Sequence, residues 1–176
     1  MASKIKVDQL ETADGTGTIA LQNQLSGMTG VSMPTGSVLQ VVNYRSTAYN
    51  TATTSTTFVD TGMSATITPF STSSKILVVS NLNGLYKHGA DYAVSTKLLR
   101  GSTDIGTIAS MGAYTANSDT GTGSMSVSYL DSPNTNSAVT YKIQFASTTG
   151  GNVMINLRWN GSYTTHSTIT LMEIAG

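Results

Sequence analysis

Residues 139–174 read VTYKIQFASTTGGNVMINLRWNGSYTTHSTITLMEI, and their periodicity decides the fold class. In Tyr141-Lys142-Ile143-Gln144-Phe145 the apolar side chains fall on every second position, so Tyr, Ile and Phe share one face and Lys and Gln the other. Val153, Ile155, Leu157 and Trp159 repeat the pattern, and so do Ile169, Leu171 and the residues around them. A period of two is that of a strand with one face on a core. Between the runs stand Thr149-Gly150-Gly151-Asn152 and Asn160-Gly161, residues that tolerate the backbone angles of tight turns. Three strands, over Val139–Ala146, Asn152–Trp159 and Ser167–Ile174, are predicted here.

Working back toward the N-terminus, the same signals recur. Further strands are predicted over Val38–Arg45, Thr56–Asp60, Met63–Thr68, Lys75–Asn81, Tyr92–Arg100, Asp104–Ala109 and Ser124–Leu130. Lys75-Ile76-Leu77-Val78-Val79 is a continuous apolar run, which predicts a central strand buried on both faces. Asp60-Thr61-Gly62 is expected to turn the chain between two of these strands, and Thr68-Pro69 to end one, because proline cannot donate to a ladder. No stretch carries a helical period for three turns. Many short strands at regular spacing predict an all-β protein, an antiparallel β-sandwich of jelly-roll-like type.

The first 33 residues differ. Lys4–Leu10 alternates, Asp14-Gly15-Thr16-Gly17 is a turn, and Thr18–Leu21 is a second short strand. Two short strands cannot bury a core. Residues 1–33 are therefore expected to form an extended attachment or trimerisation arm, and residues 34–176 the sandwich. Ile5, Val7, Leu10, Ile19 and Leu21 are the candidate contact residues of the arm.

Composition excludes several classes. The chain has 176 residues, with nine Lys and Arg against nine Asp and Glu and only 10% charged residues. Ser and Thr supply roughly 30% of the chain, so hydroxyls solvate its surface more than ions do. Without a basic excess, nucleic acid is not an expected partner. Without cysteine, no disulfide framework or thiolate metal site can form. No apolar run approaches a membrane span, and MASKIKVDQLETAD lacks the apolar centre of a signal peptide. A neutral surface favours association, which suits a protein that lives inside an assembly.

Two stretches carry a family resemblance. One is the opening KIKVDQLETADGTGTIAL, residues 4–21. The other is the series Gly36-Ser37-Val38-Leu39-Gln40, Phe58-Val59-Asp60-Thr61-Gly62, Ser74-Lys75-Ile76-Leu77-Val78, Leu99-Arg100-Gly101, Tyr129-Leu130-Asp131-Ser132-Pro133 and the ending Ser167–Gly176. Together they resemble small fibre and structural proteins of tailed-bacteriophage virions, especially those of cyanobacterial hosts. The resemblance implies a homotrimeric virion component, a tail fibre or spike, assembled in the bacterial cytoplasm and held to other virion proteins. A capsid decoration protein or head fibre, and a fibre tip that reads a host surface glycan, are the alternatives it leaves.

Chemical motifs are weak. Phe58-Val59-Asp60-Thr61-Gly62 has the letters of an aspartic-protease site, and Asp119-Thr120-Gly121 provides a second copy. Such a site needs two carboxylates sharing one proton, and the second copy does not follow a buried strand. Gly15-Thr16-Gly17-Thr18-Ile19-Ala20 matches a dinucleotide fingerprint by letter but lacks the strand, helix and acid around it. His88 and His166 have no companions at zinc-ligand spacing. No catalytic residue, cofactor or metal is expected. The aromatic set offers interface candidates instead: Tyr44, Tyr49, Tyr86, Tyr114 and Tyr163 lie near turns, where an apolar ring with a polar tip suits a contact surface. Tyr141 and Trp159, on well-patterned strands, are expected in the core.

Overall fold

The computed structural model describes residues 33–116, 120–159 and 163–176, with backbone alone at 158–159 and 163–164. The arm residues Ile5, Val7, Leu10, Ile19 and Leu21, and Asp119 of the second Asp-Thr-Gly, lie outside the described residues. Among the described residues twelve strands follow one another: β1 (Val38–Arg45), β2 (Thr51–Thr53), β3 (Val59–Ile67), β4 (Lys75–His88), β5 (Val94–Arg100), β6 (Thr103–Gly112), β7 (Thr120–Asp131), β8 (Val139–Ser147), β9 (Asn152–Ile155), β10 (Arg158–Trp159), β11 (Tyr163–Thr164) and β12 (Thr168–Ile174).

The eight longest strands form nested antiparallel pairs: β1 with β12, β3 with β8, β4 with β7, and β5 with β6. Rolling this long hairpin brings β12 beside β4 and β5 beside β8. Two sheets result, ordered β1-β12-β4-β7 (sheet A) and β3-β8-β5-β6 (sheet B). That wrapping is a jelly roll, as the spacing of the strands predicted. Along the second half of β4, the short strands β9 and β2 take over from β12 and β1.

The core lies between the sheets. Sheet A contributes Ile76, Val78, Leu82, Leu85, Val153, Ile155, Ile169 and Leu171; sheet B contributes Met63, Ile67, Val94, Leu98, Tyr141, Ile143 and Phe145. Each is shielded from solvent, and burial of one such side chain stabilises by about 1.5–3 kcal/mol.

Three expectations need correction. Asp60-Thr61-Gly62 is not a turn but a bulge inside β3, where the register with β8 shifts between Asp60 and Ser64. Gly62 takes a φ of 79°, and the buried Thr61 hydroxyl donates to Ile143 O at 2.8 Å, holding the two strands together through the bulge. The strand predicted over Asn152–Trp159 stops at Ile155, where Asn156 turns the backbone left-handed with a φ of 55°, and resumes only at Arg158–Trp159. The run Lys75–Val79 is central but covered on one face only: Ile76 and Val78 are buried, whereas Leu77 and Val79 are half-buried on the outer side. Among the described residues no third layer covers that side.

β4 also runs on to His88, seven residues past its expected end at Asn81, by passing a bulge between Leu82 and Leu85. Gly84 sits in that bulge with a φ of 60°, while the amides of Asn156 and Leu157 bond to Asn83 O and Gly84 O. A Cβ at this position would run into the Thr165 side chain and the Leu157 backbone. Gly84→Ala is therefore expected to destabilise by about 2–4 kcal/mol, through a left-handed backbone angle and overpacking. Scanning calorimetry should show the unfolding midpoint lowered by roughly 5–15 °C; an unchanged midpoint would mean that the bulge relaxes freely.

Candidate interaction surface

Most charged groups with a described contact hold the sandwich together. Asp60 lies on the outer side of sheet B with its side chain 55% exposed, and Lys142 Nζ reaches it at 3.0 Å. Gln144 Nε2 donates to it at 2.8 Å. That hydrogen bond, then the Lys142 contact, holds its carboxyl below the usual carboxylate range. A protease dyad requires the opposite, a carboxyl that keeps a shared proton. Asp131 is buried at the end of β7 and accepts from Arg100 Nη1 at 3.0 and 3.1 Å and from the Tyr141 hydroxyl at 2.6 Å. Glu173 is buried and accepts from Gln40 Nε2 at 2.6 Å and from the Phe70 amide at 2.7 Å, fixing the turn after β3. Lys87 is buried and donates to Gly89 O at 2.6 Å and Thr115 O at 2.8 Å.

Nothing among the described residues gathers three or more potential metal ligands, and no buried side-chain nitrogen or oxygen there lacks a partner. No helix among them is long and apolar enough to cross a membrane. An open recess of about 390 Å³ lies beside Arg100, Gly101, Pro133, Thr135 and Val139. The Arg100 guanidinium is turned onto Asp131 and Ser132 O rather than offered to it.

The two outer faces contrast sharply. Sheet B shows mainly hydroxyls, amides and ion pairs: Ser64, Thr66 bonded to Thr140 at 2.7 Å, Lys142, Gln144, and Lys97 beside Asp104 at 3.4 Å, with Met111 exposed on its edge strand β6. On sheet A, one cross-strand row runs Val41–Met172–Leu77–Leu130 across all four strands. Residues directly opposite in an antiparallel ladder point the same way, so these four form one apolar ridge. Val41 is 56% exposed and Leu130 51%. Val38, paired with Ile174, extends the ridge on one side and Val79 on the other. Beyond it come uncharged polar rows, with Asn43 Nδ2 donating to Thr170 Oγ1 at 2.7 Å. Further along β4, Tyr86 stands on the same face opposite Met154.

The four tyrosines of this set with described side chains do not converge. Tyr44 is half-buried, paired with Ile169 on the inner side of β1 and packed on the core. Tyr49 is exposed, with its ring 5.9 Å from that of His166. Tyr114 is exposed with its hydroxyl 3.5 Å from Asp91 Oδ1. Tyr86 is half-buried on the apolar face, with its ring 6.5 Å from that of His88. The side chain of Tyr163, like that of Trp159, lies outside the described residues. Tyr141 is fully buried in the core.

The apolar ridge itself was not singled out from the sequence, although its signal is there. Ile76-Leu77-Val78-Val79, Val41-Val42 and Leu171-Met172 each put apolar residues on both sides of a strand. In comparisons with known proteins, no family model matches the chain, and no curated protein matches it in sequence.

Proposed function

We propose that this chain is a non-catalytic structural component of a tailed-bacteriophage virion, a homotrimeric tail fibre or spike protein whose residues 1–33 hold it to the particle. The observation that carries the reading is the asymmetry of the sandwich: a polar outer face on sheet B and an apolar ridge across sheet A, Val41–Met172–Leu77–Leu130. A contiguous apolar face marks a contact surface, and the chain's zero net charge suits packed assembly. The resemblance of residues 4–21 and of the sandwich landmarks to phage fibre proteins supplies the setting. The charged groups support it from the other side, since Asp60, Asp131, Glu173 and Lys87 are all engaged in holding the fold.

The test is location. Particles of the phage that encodes the chain, purified by density gradient and labelled with antibody to the full chain, are expected to carry it on the tail. Label on the head would move the reading to capsid decoration. Chain found only in the soluble lysate, with particles lacking it, would overturn a virion role.

A further inference from the structure

We propose that a second copy of this chain seats on the outer face of sheet A, with Val41, Met172, Leu77 and Leu130 at the centre of the contact. The inference rests on the oligomeric part of the reading above and names the surface that would make it. Composition of the face is the first argument. Its centre is apolar, and the rows beside it are Asn43, Thr170 and Ser128, then Thr168, Asn81 and Ser126. Arg45 and Lys75 stand at its ends, and the two acids on these strands, Glu173 and Asp131, are turned inward and buried. An apolar centre without charge inside a polar rim, to which Arg45 and Lys75 add the charges, is the anatomy of a protein–protein interface.

Size is the second argument. Strand rise and spacing make a sheet as long as the 14 residues of β4 about 45 Å long, and four strands about 20 Å wide, hence of order 800 Å². A stable interface needs about that area per partner. The whole face of a folded domain fits it. Neutrality is the third: copies that carry no net charge meet without long-range repulsion.

The experiment is sedimentation velocity on the full chain over a range of concentrations, with Val41→Glu, Leu130→Glu and, as a control on sheet B, Ser64→Glu. All three positions are exposed, so the fold should tolerate each change, and circular dichroism verifies that it does. The wild type and Ser64→Glu are expected to associate, while Val41→Glu and Leu130→Glu weaken association about 100-fold by forcing a charge into the apolar centre. The chain has no cysteine, so a single Cys at position 41 or 130 can cross-link only between copies. With a bis-maleimide whose spacer spans neighbouring copies, such a cross-link is expected at either position. A wild type that stays monomeric, or an oligomer indifferent to both ridge substitutions, overturns the proposal. So does an intrachain link between Cys at positions 5 and 41 in a monomer, which would make the arm the occupant. Absence of the chain from particles leaves this result standing, and a particle-borne monomer overturns this inference without touching the location.

Discussion

Replacing Asp131 by Ala is expected to destabilise the sandwich by about 3 kcal/mol, lowering the unfolding midpoint by roughly 10 °C. The carboxylate sits at the end of β7 in sheet A and accepts from Arg100 on β5 and Tyr141 on β8, both in sheet B. It therefore ties the layers at one corner. Removing it strands two donors. The Tyr141 hydroxyl belongs to a fully buried side chain and would lose its only partner among the described residues. Arg100 keeps Ser132 O at 3.3 Å, and its side chain is 32% exposed, so water screens part of its loss. That places the cost at the lower end of the range for breaking a buried pair. Tyr141→Phe removes one hydrogen bond to a charged acceptor and should cost about 1.5–3 kcal/mol.

The same corner has a pH signature. Burial, then the hydrogen bond to Asp131, pushes the Tyr141 hydroxyl well above its ordinary value of 10.0. The protonated form is thus favoured in the folded state, and its contribution is complete below pH 10. Above pH 10 the unfolded chain releases this proton and the folded one does not, so stability falls as pH rises, by about 1.4 kcal/mol per pH unit from this group. Urea titrations at pH 9 to 11.5 should show Tyr141→Phe losing stability less steeply than wild type. Parallel slopes would mean that the hydroxyl titrates in the folded state as it does unfolded.

What the sequence made legible follows the burial of one face. Val139–Ala146 was readable because its inner positions alternate against the core, whereas Val38–Arg45, whose register shifts between Val38 and Gln40, still begins and ends where predicted. The departures have local causes that a period-two pattern does not carry. Thr61 satisfies its hydroxyl on Ile143 and lets β3 bulge through Asp60-Thr61-Gly62, letters that also spell a turn. Gly84 would end a strand in most contexts, yet here it lets β4 change neighbours from β12 to β9. The ridge on sheet A was written in the doubled apolar positions, but a doubled apolar strand implies cover without saying whether another layer of the same chain or another molecule provides it. The polar outer side of sheet B, by contrast, was visible in Lys142 and Gln144 of the opening stretch.

Asn156 is where the second large effect is expected. Its φ of 55° stops β9, and its side chain is wholly buried. Nδ2 donates to Ser46 Oγ at 2.9 Å, and Oδ1 accepts from Ser167 Oγ at 2.6 Å. Its backbone amide donates to Asn83 O at 2.9 Å, and its carbonyl accepts from Asn50 N at 3.0 Å. One residue thus joins the end of β1, the bulge of β4, the end of β9 and the start of β12. Asn156→Ala imposes a left-handed angle on a residue with a Cβ, about 1–2 kcal/mol, and leaves buried hydroxyls with fewer partners, about 1–3 kcal/mol more. Ser167 limits that second part, because its hydroxyl can turn to Asn83 O, now 3.5 Å away. The total expected is about 3–4 kcal/mol. Asn156→Gly keeps the backbone angle without strain and loses only the side-chain bonds, so it should be the milder change by about 1 kcal/mol. Urea unfolding of both variants separates the two causes. If Gly proves as costly as Ala, the backbone angle contributes nothing and the side-chain bonds hold the joint; if Gly equals wild type, those bonds are dispensable and conformation alone explains the asparagine.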